Sequence, residues 1–127
     1  MTRVNQGSYE VRADLQKNIL YLRLEGFLKA DQIKAASEKV RAEAARLRPG
    51  FGVITEMQHF MPASQEAVAY ISDAQKALQR YKPGRVIRVV SDSALASMQF
   101  NRTSREAGYQ ADTAPTRAEA ERMLAMS

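Results

Sequence analysis

From Tyr9 to Asp14 apolar and polar residues alternate, the period-two pattern of a strand with one covered face. A short polar turn, 15–18, leads into the more apolar run Ile19 to Glu25, so the chain opens with a hairpin. From about Lys29 to Leu47 the spacing changes to three and four. Ile33, Ala36, Val40, Ala44 and Leu47 then form one helical stripe, with Lys34, Glu38, Arg41 and Arg48 off it. Pro49-Gly50 is the stop signal of that helix. Phe51 to Met57 reads as a strand and 58–63 as a loop. Ser64 then caps a second helix whose inward face is Ala67, Ile71, Ala74, Leu78 and Tyr81.

Pro83-Gly84 ends the second helix as Pro49-Gly50 ends the first. Val86 to Val90 is nearly continuous and β-branched, as a central parallel strand covered on both faces requires. A third helix is expected from the cap at Asp92 or Ser93 to Ala107, then a short edge strand over Tyr109 to Asp112. Pro115-Thr116 opens a fourth helix, with Thr116 and Glu119 spaced for a capping box. The order β β α β α β α β α predicts an α/β fold with a mixed four- to five-stranded sheet. The opening hairpin is antiparallel because its turn is too short for a crossover, and right-handed helical crossovers join the later strands. Nothing divides the chain, so residues 1–127 are expected to form one domain with a core over about 9–124.

With 127 residues, folding buries roughly two thirds of the unfolded surface, which suffices for one core. Hydrophobic residues at 45% and charged residues at 26% are globular values and argue against disorder. No apolar run approaches the roughly 18 residues of a membrane span. Residues 1–8 are polar and lack the apolar stretch of a secretory leader. The absence of cysteine excludes disulfides and thiolate metal sites, and the expected compartment is cytoplasmic.

The net charge of +5 is unevenly placed. Between Lys76 and Arg105 seven basic residues face one acid, a local +6, which leaves −1 for the rest of the chain. Such a stretch can attract nucleic acid or an anionic membrane. Only Tyr81 and Phe100 could stack on bases there, so neither partner is expected and a solvated surface is the simpler reading.

Ligands of open α/β sheets collect beyond the carboxyl ends of the strands. Here those ends carry Glu25-Gly26-Phe27, Glu56 through Phe60, and Ser91-Asp92-Ser93, with Ser64 close by. A serine, a histidine and carboxylates on one rim invite comparison with a hydrolytic triad. However, no Gly-x-Ser-x-Gly elbow is present and His59 is the sole histidine. The dinucleotide and phosphate-loop fingerprints are also absent, so no catalytic residue, cofactor or metal is expected. Arg88 interrupts the most apolar strand and needs a partner if buried. Glu56, near the end of the neighbouring strand, is the candidate for a buried ion pair, with an arginine snorkelling from the sheet's edge as the alternative. Phe60 and Met61 are apolar within a polar loop. They either pack down as a lid on the core or, with His59 and Ser64, present a partner-binding patch.

The stretch Asn18-Ile-Leu-Tyr-Leu-Arg-Leu-Glu-Gly26, the Arg48-Pro49-Gly50 stop before a strand, and the run from Arg85 to Met98 leading into Ala107-Gly108-Tyr109 together resemble the SpoIIAA-like branch of the STAS superfamily. The resemblance runs from about Tyr9 to Leu124. It implies a STAS-like fold and a non-enzymatic, regulatory protein-binding module. Founding members are anti-sigma-factor antagonists that dock on a kinase-like partner and are switched by phosphorylation of a serine at the start of the helix after the third strand. Ser64 occupies the comparable place, although Ala63 stands where that pattern has aspartate and no glycine follows. A phosphate there would meet free helix amides, whereas the ordinary reading is an N-cap. The resemblance also leaves open a carrier that holds a small apolar molecule or lipid between sheet and helices. A homodimer through a shared helix or sheet edge is compatible with the pattern.

Overall fold

A computed structural model of the chain describes residues 7–61, 64–90, 102 and 111–126. It is an α/β fold built on one five-stranded mixed sheet. The strands are β1 (Ser8–Asp14), β2 (Ile19–Glu25), β3 (Gly52–Glu56), β4 (Val86–Val89) and β5 (Asp112–Ala114), and they lie in the sheet in the same order as in the chain. β1 is antiparallel to β2, and the remaining pairs are parallel. The described helices are α1 (Ala30–Ala44), α2 (Gln65–Arg80) and α3 (Arg117–Ala125). The third helix expected over 93–107 falls, apart from Arg102, outside the described residues.

Side chains of β2, β3 and β4 alternate between two cores. Leu20, Val53 and Val86 point to one face, where they meet Val40 and Ala44 of α1 and Leu78 of α2. Ile19, Tyr21, Ile54, Ile87 and Val89 point to the other, where Ala114 and Ala120 join them under α3. At the carboxyl end of the strands Leu24, Leu28, Met57 and Phe60 close against Ile33 of α1 and Ala67 and Ile71 of α2. The inner faces of α1 and α2 are those the sequence predicts at Ile33, Ala36, Val40, Ala44, Ala67, Ile71 and Leu78.

Two boundaries differ from expectation. α1 ends at Ala44 rather than at Leu47. Asn18, at a positive φ of 57°, accepts from the Arg48 N–H at 2.9 Å and donates to the Arg48 carbonyl at 3.2 Å. Both backbone groups of Arg48 are thereby taken out of helical pairing, while Leu47 still packs half-buried on the core. β5 pairs through Asp112–Ala114, later than the expected edge strand, because Ala114 aligns with Val89 and its carbonyl accepts from Val90 N–H.

The two Pro-Gly stops form one joint. Gly50 N–H donates to the Lys82 carbonyl at 2.7 Å, and Gly84 N–H donates to the Phe51 carbonyl at 2.7 Å. Gly50 adopts a φ of +88°, and a Cβ on Gly84 would lie 2.6 Å from the Gly50 carbonyl oxygen. Two loops this close leave no room for a methyl group. Gly84→Ala is therefore expected to destabilise the fold by about 1–3 kcal/mol, as overpacking against backbone does. Urea unfolding monitored by circular dichroism checks this through a lowered midpoint at unchanged slope.

Candidate functional site

Beyond the carboxyl ends of β2 and β3 two loops are zipped together by backbone bonds. Gly26 N–H donates to the His59 carbonyl at 2.8 Å, and Met61 N–H donates to the Gly26 carbonyl at 3.0 Å. Gly26 sits at a positive φ of 68°, which turns the chain out of β2 at this point. The zipper separates the loop's side chains. His59 is exposed, Met61 is 46% exposed, and Phe60 is 1% exposed among Leu24, Leu28, Met57 and Ile71. Phe60 is thus the lid on the core, and it leaves the partner-binding set named from the sequence. Phe27, on the adjoining loop, is 40% exposed. The sequence reading placed Phe27 on the rim without assigning it a role; an aromatic residue directly after a turn glycine was the available signal.

Ser64 is exposed, and its Oγ accepts from the Ala67 N–H at 3.2 Å, which makes it the N-cap of α2. Pro62 and Ala63, like Ser91 to Ser93 of the expected rim, lie outside the described residues. His59 and Ser64 are both solvent-facing. Among the described residues no three His, Asp or Glu side chains are grouped to hold a metal ion.

Arg88 is 2% exposed in the middle of the sheet rather than at its edge. The proposed pairing with Glu56 does not form, and strand register is the reason. Thr55 lies opposite Arg88 and Glu56 opposite Val89, so Glu56 and Arg88 point to opposite faces. Glu56 instead approaches Arg117 of α3 at 4.0 Å. Arg88 faces α1 and α2, where it lines a partly open cavity of about 60 Å³. Its walls are apolar, including Leu22, Leu24, Val53 and Ile71, but Ser37, Thr55 and Gln75 also line it and all three are buried.

A second polar group lies on the α3 face. The Tyr21 ring is held between two guanidinium groups, with Arg12 Cζ 4.3 Å and Arg117 Cζ 4.6 Å from its centroid. Tyr21 Oη donates to Glu121 at 3.1 Å, and Glu121 also meets Lys17 at 3.5 Å and Arg117 at 3.4 Å. Burial, followed by the negative charge of Glu121, raises the Tyr21 phenol above its ordinary value. The period-two pattern shows only that Tyr21 faces inward from β2; Arg12 lies opposite it in the hairpin, but Arg117 and Glu121 come from α3, about a hundred residues away, which local spacing cannot reveal.

At the opposite end of the sheet an open groove of about 550 Å³ is bordered by Lys17, Ile19, Gly52, Arg85 and Leu124. Its charges are used within the fold: Lys17 meets Glu121, and Arg85 Nε donates to Asp112 at 2.7 Å. Of the basic stretch read from the sequence, Arg85 is therefore bound to an acid and Arg88 is buried, while Lys76, Arg80 and Lys82 face solvent. No described helix is long and apolar enough to cross a membrane. No protein-family model matches the chain, and no curated protein matches it.

Phe60 and Met61 are neighbours with opposite expected responses. Phe60→Ala should cost about 3–5 kcal/mol of stability through the cavity it leaves, whereas Met61→Ala should change it by less than about 0.5 kcal/mol. Chemical denaturation of the two variants reads the difference. For Tyr21 the raised phenol means that the folded chain holds the proton more tightly than the unfolded one. Its contribution is full below the unfolded tyrosine value of about 10 and is lost as pH rises through the folded one. Wild type should lose stability above about pH 10 more steeply than Tyr21→Phe, and thermal melts across that range check it.

Proposed function

We propose that the chain is a non-enzymatic, regulatory protein-interaction module of STAS type, and that it docks through the rim formed by Phe27, His59, Met61 and the start of α2 at Ser64. The observation that carries the reading is the pair of zipped loops. They hold two large apolar side chains, Phe27 and Met61, in solvent at adjoining positions on a rigid support. Ordering has already been achieved by the backbone bonds, so a partner binding there immobilises little additional chain. Two anchors suit a weak and reversible contact at the small end of interface sizes. The resemblance to SpoIIAA-like proteins adds the regulatory character, and the exposed Ser64 hydroxyl at a helix N-terminus is compatible with a phosphate.

The carrier reading draws on the cavity beneath α1 and α2. Its volume of about 60 Å³ is well below the roughly 150 Å³ that holds one benzene, so an acyl chain would have to part the helices. The rim therefore supports the interaction reading better.

Photo-crosslinking in the native cell, with a benzophenone amino acid at Met61 or at exposed Leu15, tests the assignment. A discrete protein adduct is expected from position 61, absent from position 15 and lost when Phe27→Ala is added. Equal labelling from both positions, or an adduct indifferent to Phe27→Ala, would sink the proposal.

A further inference from the structure

Past the amino ends of β2, β3 and β4 the connecting loops converge. The hairpin turn 15–18 holds Arg48 through Asn18, and Gly50 N–H donates to the Lys82 carbonyl at 2.7 Å. The carboxyl end of α3 reaches the same place, where Arg85 Nη1 donates to the Met123 carbonyl at 3.1 Å and Lys17 meets Glu121. The described acids at this end are engaged within the fold: Glu121 by Lys17, Asp112 by Arg85, Glu43 by Arg46, and Asp14 by the Lys17 amide. Arg48, Arg80 and Lys82 are exposed, and among the described residues none of them meets a carboxylate. Folding thus breaks up the basic stretch of the sequence. Arg85 is paired and Arg88 buried, while Arg80 and Lys82 are brought next to the loop that carries Arg48. Two large apolar side chains stand at the same end: Leu15 in the hairpin turn is 43% exposed, and Met126 just past α3 is 76% exposed.

We infer that this end of the molecule is a docking surface for an anionic lipid bilayer, with Arg48, Arg80 and Lys82 over the headgroups and Leu15 and Met126 entering the interface. Charge complementarity supplies the first part. A cation near a negatively charged leaflet is drawn to it, and each one strengthens partitioning about fivefold. The exposed apolar pair selects the bilayer over nucleic acid. Phosphate contacts need only the cations, and base stacking needs an open ring, whereas Phe51 and Tyr81 of this joint are buried and half-buried in the core. Leu15 and Met126 gain nothing from a sugar-phosphate backbone but leave water at the acyl boundary. Neither signal holds a chain firmly alone; together they make a reversible peripheral contact that requires no spanning helix. The inference is independent of the rim proposal. Because the rim lies at the opposite end of the strands, a chain docked in this way keeps Phe27 and Met61 turned away from the bilayer.

The whole chain is mixed with vesicles of phosphatidylcholine, with and without phosphatidylserine, and bound protein is read by sedimentation. Binding is expected only with phosphatidylserine and should fall as salt rises from about 50 to 200 mM. Arg48→Gln, Arg80→Gln and Lys82→Gln together should weaken it about a hundredfold, and Leu15→Ser with Met126→Ser at least about threefold. All five positions are exposed, and circular dichroism verifies that the variants are folded. The sequence has no cysteine, so a polarity-sensitive dye can be attached through Leu15→Cys or Met61→Cys. Its emission should shift to the blue on phosphatidylserine vesicles from position 15 and stay unchanged from position 61, a reading that needs no charge variant to fold. The inference is overturned if neither vesicle is bound or both are bound alike, if the folded triple variant binds as wild type does, or if the dye at position 15 shifts no more than at position 61. Tighter binding to single-stranded RNA or duplex DNA than to the vesicles at the same salt overturns it as well.

Discussion

Most of β2, β3 and β4 is covered on both faces, so successive residues along them largely serve different cores. That alternation is the constraint from which the rest of the structure follows. It sends Val53 and Val86 to α1 and α2 and Ile54 and Ile87 to α3, and it allows no side chain in between. A polar residue in these strands therefore faces one side of the sheet or the other according to its place in that alternation. Thr55 and Arg88 are register partners and face the same side, whereas Glu56 faces the other. The separation of Glu56 from Arg88 is thus a matter of counting residues along a paired strand, although both look like neighbours in a linear reading.

Much of the architecture was legible because it is written in local periodicity. β2 begins and ends where the apolar run does, and Ser64 and Thr116 cap helices as their spacing to the next amides requires. What was not legible depends on contacts between distant segments. Asn18 ends α1 early by gripping Arg48, thirty residues away. Phe60 turns inward because the bond between Gly26 and His59 fixes the loop with that side chain facing the core. Phe60 is accordingly buried, whereas Phe27 on the adjoining loop is 40% exposed.

The buried and exposed polar groups answer to different physics. Tyr21 and its two flanking arginines form a shared charge network with Glu121 and Lys17, in which each cation also meets a carboxylate or a ring. Such a network binds α3 to the hairpin and offers little to a passing ligand. Arg88 instead lies beneath α1 and α2, among hydrocarbon with hydroxyl and amide neighbours.

Strand order has a consequence for synthesis. Because each strand lies beside the one that precedes it in the chain, the growing sheet always offers its free edge to the next segment to leave the ribosome. Docking of a later strand never requires an earlier pair to be prised apart. The strand order thus permits the sheet to be extended from the amino end one strand at a time.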